Sequence, residues 1–385
     1  MDFRLSTEQL EFQKEARGFA KKELTPSAAK WDEEKHFPVD IIAKAGELGF
    51  CGIYTPEEAG GMGLKRLDGA IIFEELAFGC TSTAAYITIH NMVTWMIASF
   101  AKKEVVKEVC PSMSMGKKLG SYCLTEPGSG SDAAALKTSA KLKNGKYVVN
   151  GSKAFVSGAG STDYLVVMVR TGGPGAKGVS SLLISAKSPG IEYGKNEPKM
   201  GWNSQPTRII TFNNVEVDQK YLLGEEGMGF KIAMMGLDGG RINIGTCSVG
   251  TAQAALNYAK NYMHEREQFG KKLANFQALQ FKIADMATQL VAARQMVHLA
   301  AFKLDEDDPH KTTFCAMAKR FASDESFKIC NEALQIYGGY GYTKEYPLER
   351  FMRDCRVHQI LEGTNEIMRV IIARKILEAG VEEIR

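Results

Sequence analysis

From Ser6 to about Gly120, apolar residues recur at helical spacing, with breaks at Thr25-Pro26-Ser27, Phe37-Pro38 and the glycine-rich run Glu57 to Gly63. This predicts a helical N-terminal domain over 1–120. Its first helix starts at Leu5-Ser6-Thr7-Glu8-Gln9-Leu10, where Ser6 and Gln9 form a capping box and Leu5 with Leu10 a hydrophobic staple. The period then shortens. Lys146 to Val149, Tyr164 to Arg170, Ser180 to Ser185 and Ile209 to Val217 are alternating or β-branched runs. Gly172-Gly173-Pro174-Gly175 and Asn213-Asn214 supply breaks, and Asn144-Gly145 and Asn150-Gly151 read as hairpin turns. A β domain is expected over 121–226, as a small barrel or a sandwich. From 227 to 385 the helical period returns. Leu279, Ile283, Met286, Leu290, Ala293, Val297, Ala300 and Leu304 step by four and three, the seam of a helix bundle and hence core. Four helices are predicted between Gly229 and Gly380, with a reversal at Asp305 to His310. The fold class is α+β.

Composition narrows the partners. Lys plus Arg number 48 against 45 Asp plus Glu, a net charge of +3, too balanced for nucleic acid or an anionic membrane as the main partner. The richest apolar segment, Ala84 to Phe100, is interrupted by His90, Asn91 and Thr94, so no membrane span is expected. The eight cysteines show no CxxC and no close pairing; they read as reduced intracellular thiols rather than as a zinc site or a disulfide framework. The histidines have no metal-ligand spacing, and His358 reads as a packing or hydrogen-bonding residue. No signal or transit pattern precedes the first helix.

Candidate chemistry begins at YCLTEPGSGSD, Tyr122 to Asp132, where an apolar run ends on a turn. Thr125, Ser129 and Ser131 offer hydroxyls, while Gly128 and Gly130 leave backbone N–H groups free for an anion. Gly128-x-Gly130-x-x-Ala133 imitates a dinucleotide fingerprint. It fails on context, because a hairpin ladder follows where a helix would be needed.

Together with GSKAFVSGA from Gly151, REQFG from Arg266, QIYGG from Gln335 and LEGTNE from Leu361, this stretch resembles the acyl-CoA dehydrogenases over nearly the whole chain. Cys80 to Thr83, Ile89 to Met92, GWNSQPTR from Gly201 and GGRINI from Gly239 are most similar to the branch of that family acting on isobutyryl-CoA in valine breakdown. The resemblance implies a β domain between two helical domains, a homotetramer, FAD as cofactor, an acyl-CoA substrate and an electron transfer flavoprotein as acceptor. It further implies oxidation of a short branched acyl-CoA, isobutyryl-CoA to methacrylyl-CoA, with 2-methylbutyryl-CoA or butyryl-CoA as alternatives of the same mechanism. A catalytically idle assembly relative is a more remote alternative, which a purified protein lacking FAD would favour. The compartment expected is the mitochondrial matrix for a eukaryotic source and the cytoplasm for a bacterial one.

Removing hydrogen from two adjacent carbons needs a base for the Cα proton and a redox cofactor for the Cβ hydride. By resemblance the base is Glu362. Some relatives carry it instead near the start of the helix around 238–250, where this chain has Gly239-Gly240. Resemblance places Tyr122, Leu124, Thr125, Gly130, Ser131, Phe155, Val156 and Ser157 around the isoalloxazine and pyrophosphate. Phe155 stands where many relatives have Trp. Arg266, Gln268, Phe269, Phe276 and Gln277, with Gln335, Ile336, Tyr337, Gly338 and Gly339, match positions that hold the ADP part across a subunit interface. Thr364, Asn365 and Glu366 complete the cofactor set. Substrate-side positions are Ser131, Leu237, Asp238, Arg241, Leu361 and Gly363, with Arg241 a candidate for the polar groups of CoA and Asp238 equally readable as structural.

Overall fold

The computed structural model describes residues 4–384. Helices α1 (Thr7–Phe19), α2 (Ala28–Glu34), α3 (Val39–Glu47), α4 (Arg66–Gly79), α5 (Thr81–Phe100) and α6 (Lys103–Ser114) come first. The predicted capping box is present, with Gln9 N–H donating to Ser6 Oγ and Ser6 N–H to Gln9 Oε1, both at 3.1 Å, although Leu10 stays half exposed. One π-helical turn, Ala20–Leu24, precedes the break at Thr25 to Ser27. Helix α5 is buried on nearly every face, which is why its sequence lacks a polar stripe: it is the central helix of this region, not a surface one. Among the described residues no helix is long and apolar enough to cross a membrane.

Eight strands follow: β1 (Gly120–Cys123), β2 (Ser139–Lys143), β3 (Lys146–Ser157), β4 (Tyr164–Arg170), β5 (Val179–Ser185), β6 (Ile191–Tyr193), β7 (Thr207–Asp218) and β8 (Leu222–Leu223). They form one sheet in the order β6-β7-β3-β2-β4-β5-β8, with β1 paired in parallel to β4. The sheet is open, so the barrel alternative is not realised. Asn144-Gly145 makes the expected hairpin between β2 and β3, both residues at positive φ. Asn150-Gly151 does not turn. It lies inside β3, opposite Asn213-Asn214 inside β7, and the register shifts between Val149 and Gly151. Asn150-Gly151, expected as a turn, and Asn213-Asn214, expected as a break, are facing halves of a bulge, cross-bonded by Asn150 Oδ1, which accepts from Asn214 N–H at 2.9 Å.

From Gly229 on, the described residues form five α-helices rather than four: α7 (Gly229–Glu265), α8 (Gln277–Asp305), α9 (Lys311–Tyr337), α10 (Leu348–Arg356) and α11 (Asn365–Ala379). Between α7 and α8 lies the two-residue hairpin of β9 (Glu267–Gln268) and β10 (Lys271–Lys272). The stripe on α8 is core, with Met286, Leu290, Ala293, Val297 and Ala300 at most 5% exposed, and the reversal after Asp305 is present. Helix α7, 37 residues long, spans about 55 Å and packs against α4, α5, α8 and α9. Each interior glycine costs a helix roughly 1 kcal/mol. Close approach explains them: a Cβ on Gly250 would lie 2.2 Å from the Glu74 carbonyl oxygen.

Candidate active site

Glu362 sits in the loop between α10 and α11, at φ 55°, followed by Gly363 at φ 89°. A non-glycine residue in that left-handed region costs about 1–3 kcal/mol and persists only where neighbours hold it. They do. Lys319 Nζ, from α9, donates to the Gly363 carbonyl at 2.8 Å and to Asn365 Oδ1 at 2.9 Å. Thr364 caps α11 by accepting from Ile367 N–H at 3.3 Å, and Arg241 Nε reaches the Glu362 carbonyl at 3.5 Å. Glu362 Oε2 is enclosed and has no hydrogen-bond partner. Desolvation pushes this carboxyl up to about 7, with Arg241 and Lys319 pulling the other way. The same burial lowers Lys319 to about 7.

Part of the substrate-side set meets here. Leu237, Asp238 and Arg241 lie buried on α7, and Arg241 adjoins Glu362, whereas Ser131 is exposed on the turn after β1. Asp238 is mid-helix, not terminal: its Oδ1 pairs with Arg241 Nη1 at 2.6 Å and its Oδ2 accepts from Thr312 Oγ1 at 2.6 Å. Leu361 packs, half-buried, against the core that includes Trp202 and Ile244. Tyr122 joins this group from β1: its Oη is buried without a partner, and burial with the nearby Glu362 charge holds its hydroxyl well above the ordinary phenol range.

The glycine-rich turn after β1 is braced from behind. Glu126 accepts from Lys137 N–H at 2.6 Å, Thr138 N–H at 2.8 Å and buried Lys153 Nζ at 2.8 Å, and Lys153 also donates to the Leu124 carbonyl at 3.0 Å. Ala154 N–H takes the Thr125 carbonyl at 2.8 Å. Ser129 is not free for a ligand, since its Oγ donates to the Asp132 carbonyl at 2.5 Å. Gly130 and Ser131 are exposed, and a Cβ at Gly128 or Gly130 would meet nothing within 4 Å. Phe155 is 68% exposed at φ 55°, on a bulge in β3 between Lys153 and Val156. Val156 is buried beneath it, and the Ser157 carbonyl is tied to Ser121 Oγ at 2.7 Å.

A second cluster forms at the far end of α7 and α9. Arg266, Gln268, Ile336, Tyr337, Gly338 and Gly339 line a cleft of about 460 Å³ with Tyr262 and Tyr340. Phe269, 93% exposed, meets Phe276 edge-on at 6.3 Å, and Gln277 and Gln335 lie exposed nearby. Among the described residues no hydrogen bond or ring contact links this cluster to the one at Glu362. Asn365 proves structural: buried, it donates to Ser323 Oγ at 2.9 Å and Asp324 Oδ1 at 2.7 Å besides accepting from Lys319. Glu366 is exposed beside Arg369.

The geometry also assembles residues that pattern reading does not single out: Tyr54, Arg66, Trp95, Asn243 and Lys319. Each lies in a helical or turn segment where it looks like core or surface charge, and only the packing of α4 and α5 on α7, and of α9 beneath the loop, gathers them. His358 is buried, accepting from Trp202 Nε1 at 3.2 Å and bonded to Ser248 Oγ at 2.7 Å, a packing role as read.

The residues present suit a flavin dinucleotide. An exposed aromatic held at positive φ, a buried unpartnered phenol, and a glycine turn with open space are what a ring system and a pyrophosphate need. The models of the acyl-CoA dehydrogenase N-terminal, middle and C-terminal domains match residues 6–117, 121–215 and 227–377. The chain is 53% identical to mitochondrial isobutyryl-CoA dehydrogenase of Bos taurus over 374 residues, 97% of this chain and 90% of that one. It superposes on butyryl-CoA dehydrogenase from Megasphaera elsdenii with a TM-score of 0.95 at 39% identity, covering 98% of this chain and 100% of that chain. PigA, solved with FAD and proline, superposes at 0.95 with 29% identity, covering 98% of this chain and 99% of that chain. The chain therefore belongs to the acyl-CoA dehydrogenases, flavin-dependent oxidoreductases acting on CH–CH bonds.

Proposed function

We propose that this protein oxidises a short branched acyl-CoA, isobutyryl-CoA to methacrylyl-CoA, with Glu362 as the base and an electron transfer flavoprotein as acceptor. The observation that carries the mechanism is the Glu362 carboxyl, enclosed and raised to about 7. A base poised near the working pH combines a useful ionised fraction with enough basicity to take a Cα proton. FAD, when bound, supplies the acceptor for the hydride leaving Cβ. The chain's own groups do the rest. Tyr122, Leu124, Thr125, Gly130, Ser131, Phe155, Val156 and Ser157 would hold the isoalloxazine and pyrophosphate. The Glu362 N–H, fixed by the strained loop, would donate to the thioester oxygen as it gains charge. Arg241, already neutralised by Asp238, would face CoA.

The cleft at Arg266 would take the ADP part from a neighbouring subunit, which accounts for its separation from Glu362 within one chain. A homotetramer also suits α8, whose Phe281, Val291, Leu299 and Phe302 are 40–60% exposed. The proposed domains remain 1–120, 121–226 and 227–385, and the proposed pathway is valine catabolism, in the matrix of a eukaryote or the cytoplasm of a bacterium. Leu361 and the 53% identity to a named isobutyryl-CoA dehydrogenase support the branched substrate. Anaerobic titration of the holoprotein with isobutyryl-, 2-methylbutyryl-, butyryl- and octanoyl-CoA tests the reading. The flavin absorbance should bleach at the lowest concentration of isobutyryl-CoA; faster bleaching by butyryl-CoA would replace the substrate, and no bleaching by any would remove the mechanism.

A further inference from the structure

Arg66, the first residue of α4, is buried, and its Nη1 is enclosed with no hydrogen-bond partner among the described residues. Two rings hold the guanidinium instead: its central carbon lies 3.6 Å from the Tyr54 ring centroid and 5.0 Å from that of Trp95. Arg241 differs, since Asp238 matches its charge at 2.6 Å. A donor on a buried cation is expensive to leave unmade, so an unpartnered one points to something that binds there. The backbone behind it is fixed, because the Asp305 carboxylate accepts from the N–H groups of Arg66 and Leu67 at 2.7 and 3.1 Å.

Its location follows from two adjacent glycines. A Cβ on Gly239 would lie 2.3 Å from Arg66 Nη1, and a Cβ on Gly240 would lie 2.4 Å from Glu362 Oε2. Consecutive positions of α7 thus face a free cationic donor and the carboxylate. Tyr54 closes the same wall, its hydroxyl accepting from Asn243 Nδ2 at 3.0 Å one turn further along α7.

We propose that Arg66 is a specificity-determining residue whose unpartnered Nη1 closes the acyl end of the site and restricts it to short acyl groups. The proposal rests on Glu362 being the base. A short acyl group with its Cα at the carboxylate ends before the guanidinium, whose Nη1 then bonds to water. A longer straight chain replaces that water with methylenes and leaves the donor dry. The apolar gain from a methylene is smaller than the loss of a hydrogen bond to a charged donor, so the longer chain is rejected. An acceptor placed at the chain end removes the penalty.

The test measures kcat/KM of the FAD-loaded wild type, Arg66→Met and Arg66→Thr with isobutyryl-, butyryl-, hexanoyl- and octanoyl-CoA, alongside flavin content and Tm. The ratio of hexanoyl- to isobutyryl-CoA should rise at least ~10-fold in both variants, Met keeping the bulk while removing the charge. A rise confined to Arg66→Thr, or an unchanged ratio in folded, flavin-loaded variants, overturns the proposal. A second measurement needs no variant: the wild type should bind glutaryl-CoA more tightly than pentanoyl-CoA, and the reverse order also overturns it. Flavin reduction by isobutyryl-CoA is read in the same series. Its absence overturns the Glu362 reading together with the Arg66 proposal, whereas its presence with an unchanged ratio overturns the Arg66 proposal alone.

Discussion

The Cβ that Gly240 lacks would lie 2.4 Å from Glu362 Oε2, so the glycine is what lets the carboxylate rest against α7. Positions 240 and 362, far apart in the chain, compete for one volume.

Gly240→Ala should therefore displace the carboxylate rather than unfold the helix, since alanine is the better helix former and the obstacle is the end of a side chain. A shift of about 1 Å in a reacting group costs roughly 10²-fold in rate. Flavin reduction by isobutyryl-CoA in the stopped-flow instrument should slow by about that factor with FAD content intact. An unimpaired rate would mean that Glu362 reacts from elsewhere.

Glu362→Gln should retain FAD and bind acyl-CoA, yet reduce its flavin roughly 10²-fold or more slowly. In the wild type, kcat/KM should rise with pH through about 7, because the base must be ionised and its carboxyl is raised to about 7. Stability should run the opposite way. The carboxyl's folded value lies above its ordinary 4.5, so the native state favours the protonated form and loses stability as pH rises from about 4.5 to 7. Glu362→Gln escapes that loss. Its Tm should exceed that of the wild type at pH 8, with a gain of up to ~3 kcal/mol that disappears toward pH 4.5.

Arg266 contributes to the 460 Å³ cleft and lies 6.0 Å from the Tyr340 ring centroid, without a carboxylate partner among the described residues that would explain it structurally. Arg266→Ala should release FAD on gel filtration and lower Tm, as loss of a ligand specific to the native state does. Stoichiometric FAD and an unchanged Tm would reduce Arg266 to a surface charge.

Leu361 precedes Glu362, the proposed base, in the chain. A 2-methyl branch sits on the carbon that loses its proton and projects toward whatever flanks the carboxylate. One methyl group is worth about 1–3 kcal/mol of discrimination in an apolar pocket. Leu361→Tyr should lower kcat/KM on isobutyryl-CoA some 10- to 200-fold relative to butyryl-CoA. Equal losses on both substrates would place the branch elsewhere.

Local signals determined much of this protein. The capping box at Ser6, the hairpin at Asn144-Gly145, strand β4 and the seam of α8 need only neighbours a few residues away, so the sequence reads them directly. Asn150-Gly151 and Asn213-Asn214 misread because each looks like a turn alone and becomes a bulge only when β3 and β7 pair across 64 residues. The fifth C-terminal helix went unread for a related reason, since α10, nine residues long, is set by packing against longer helices rather than by a long periodic stripe. At the site, the motif around Glu362 is legible, but its depth is not. Burial of the carboxyl, the unpartnered Nη1 of Arg66, and Lys319 under the Gly363 carbonyl all depend on α4, α7 and α9 meeting at one point. Desolvation is a property of that meeting and of no single segment, so residue types were fixed by the sequence while their ionisation and reach were decided by tertiary structure.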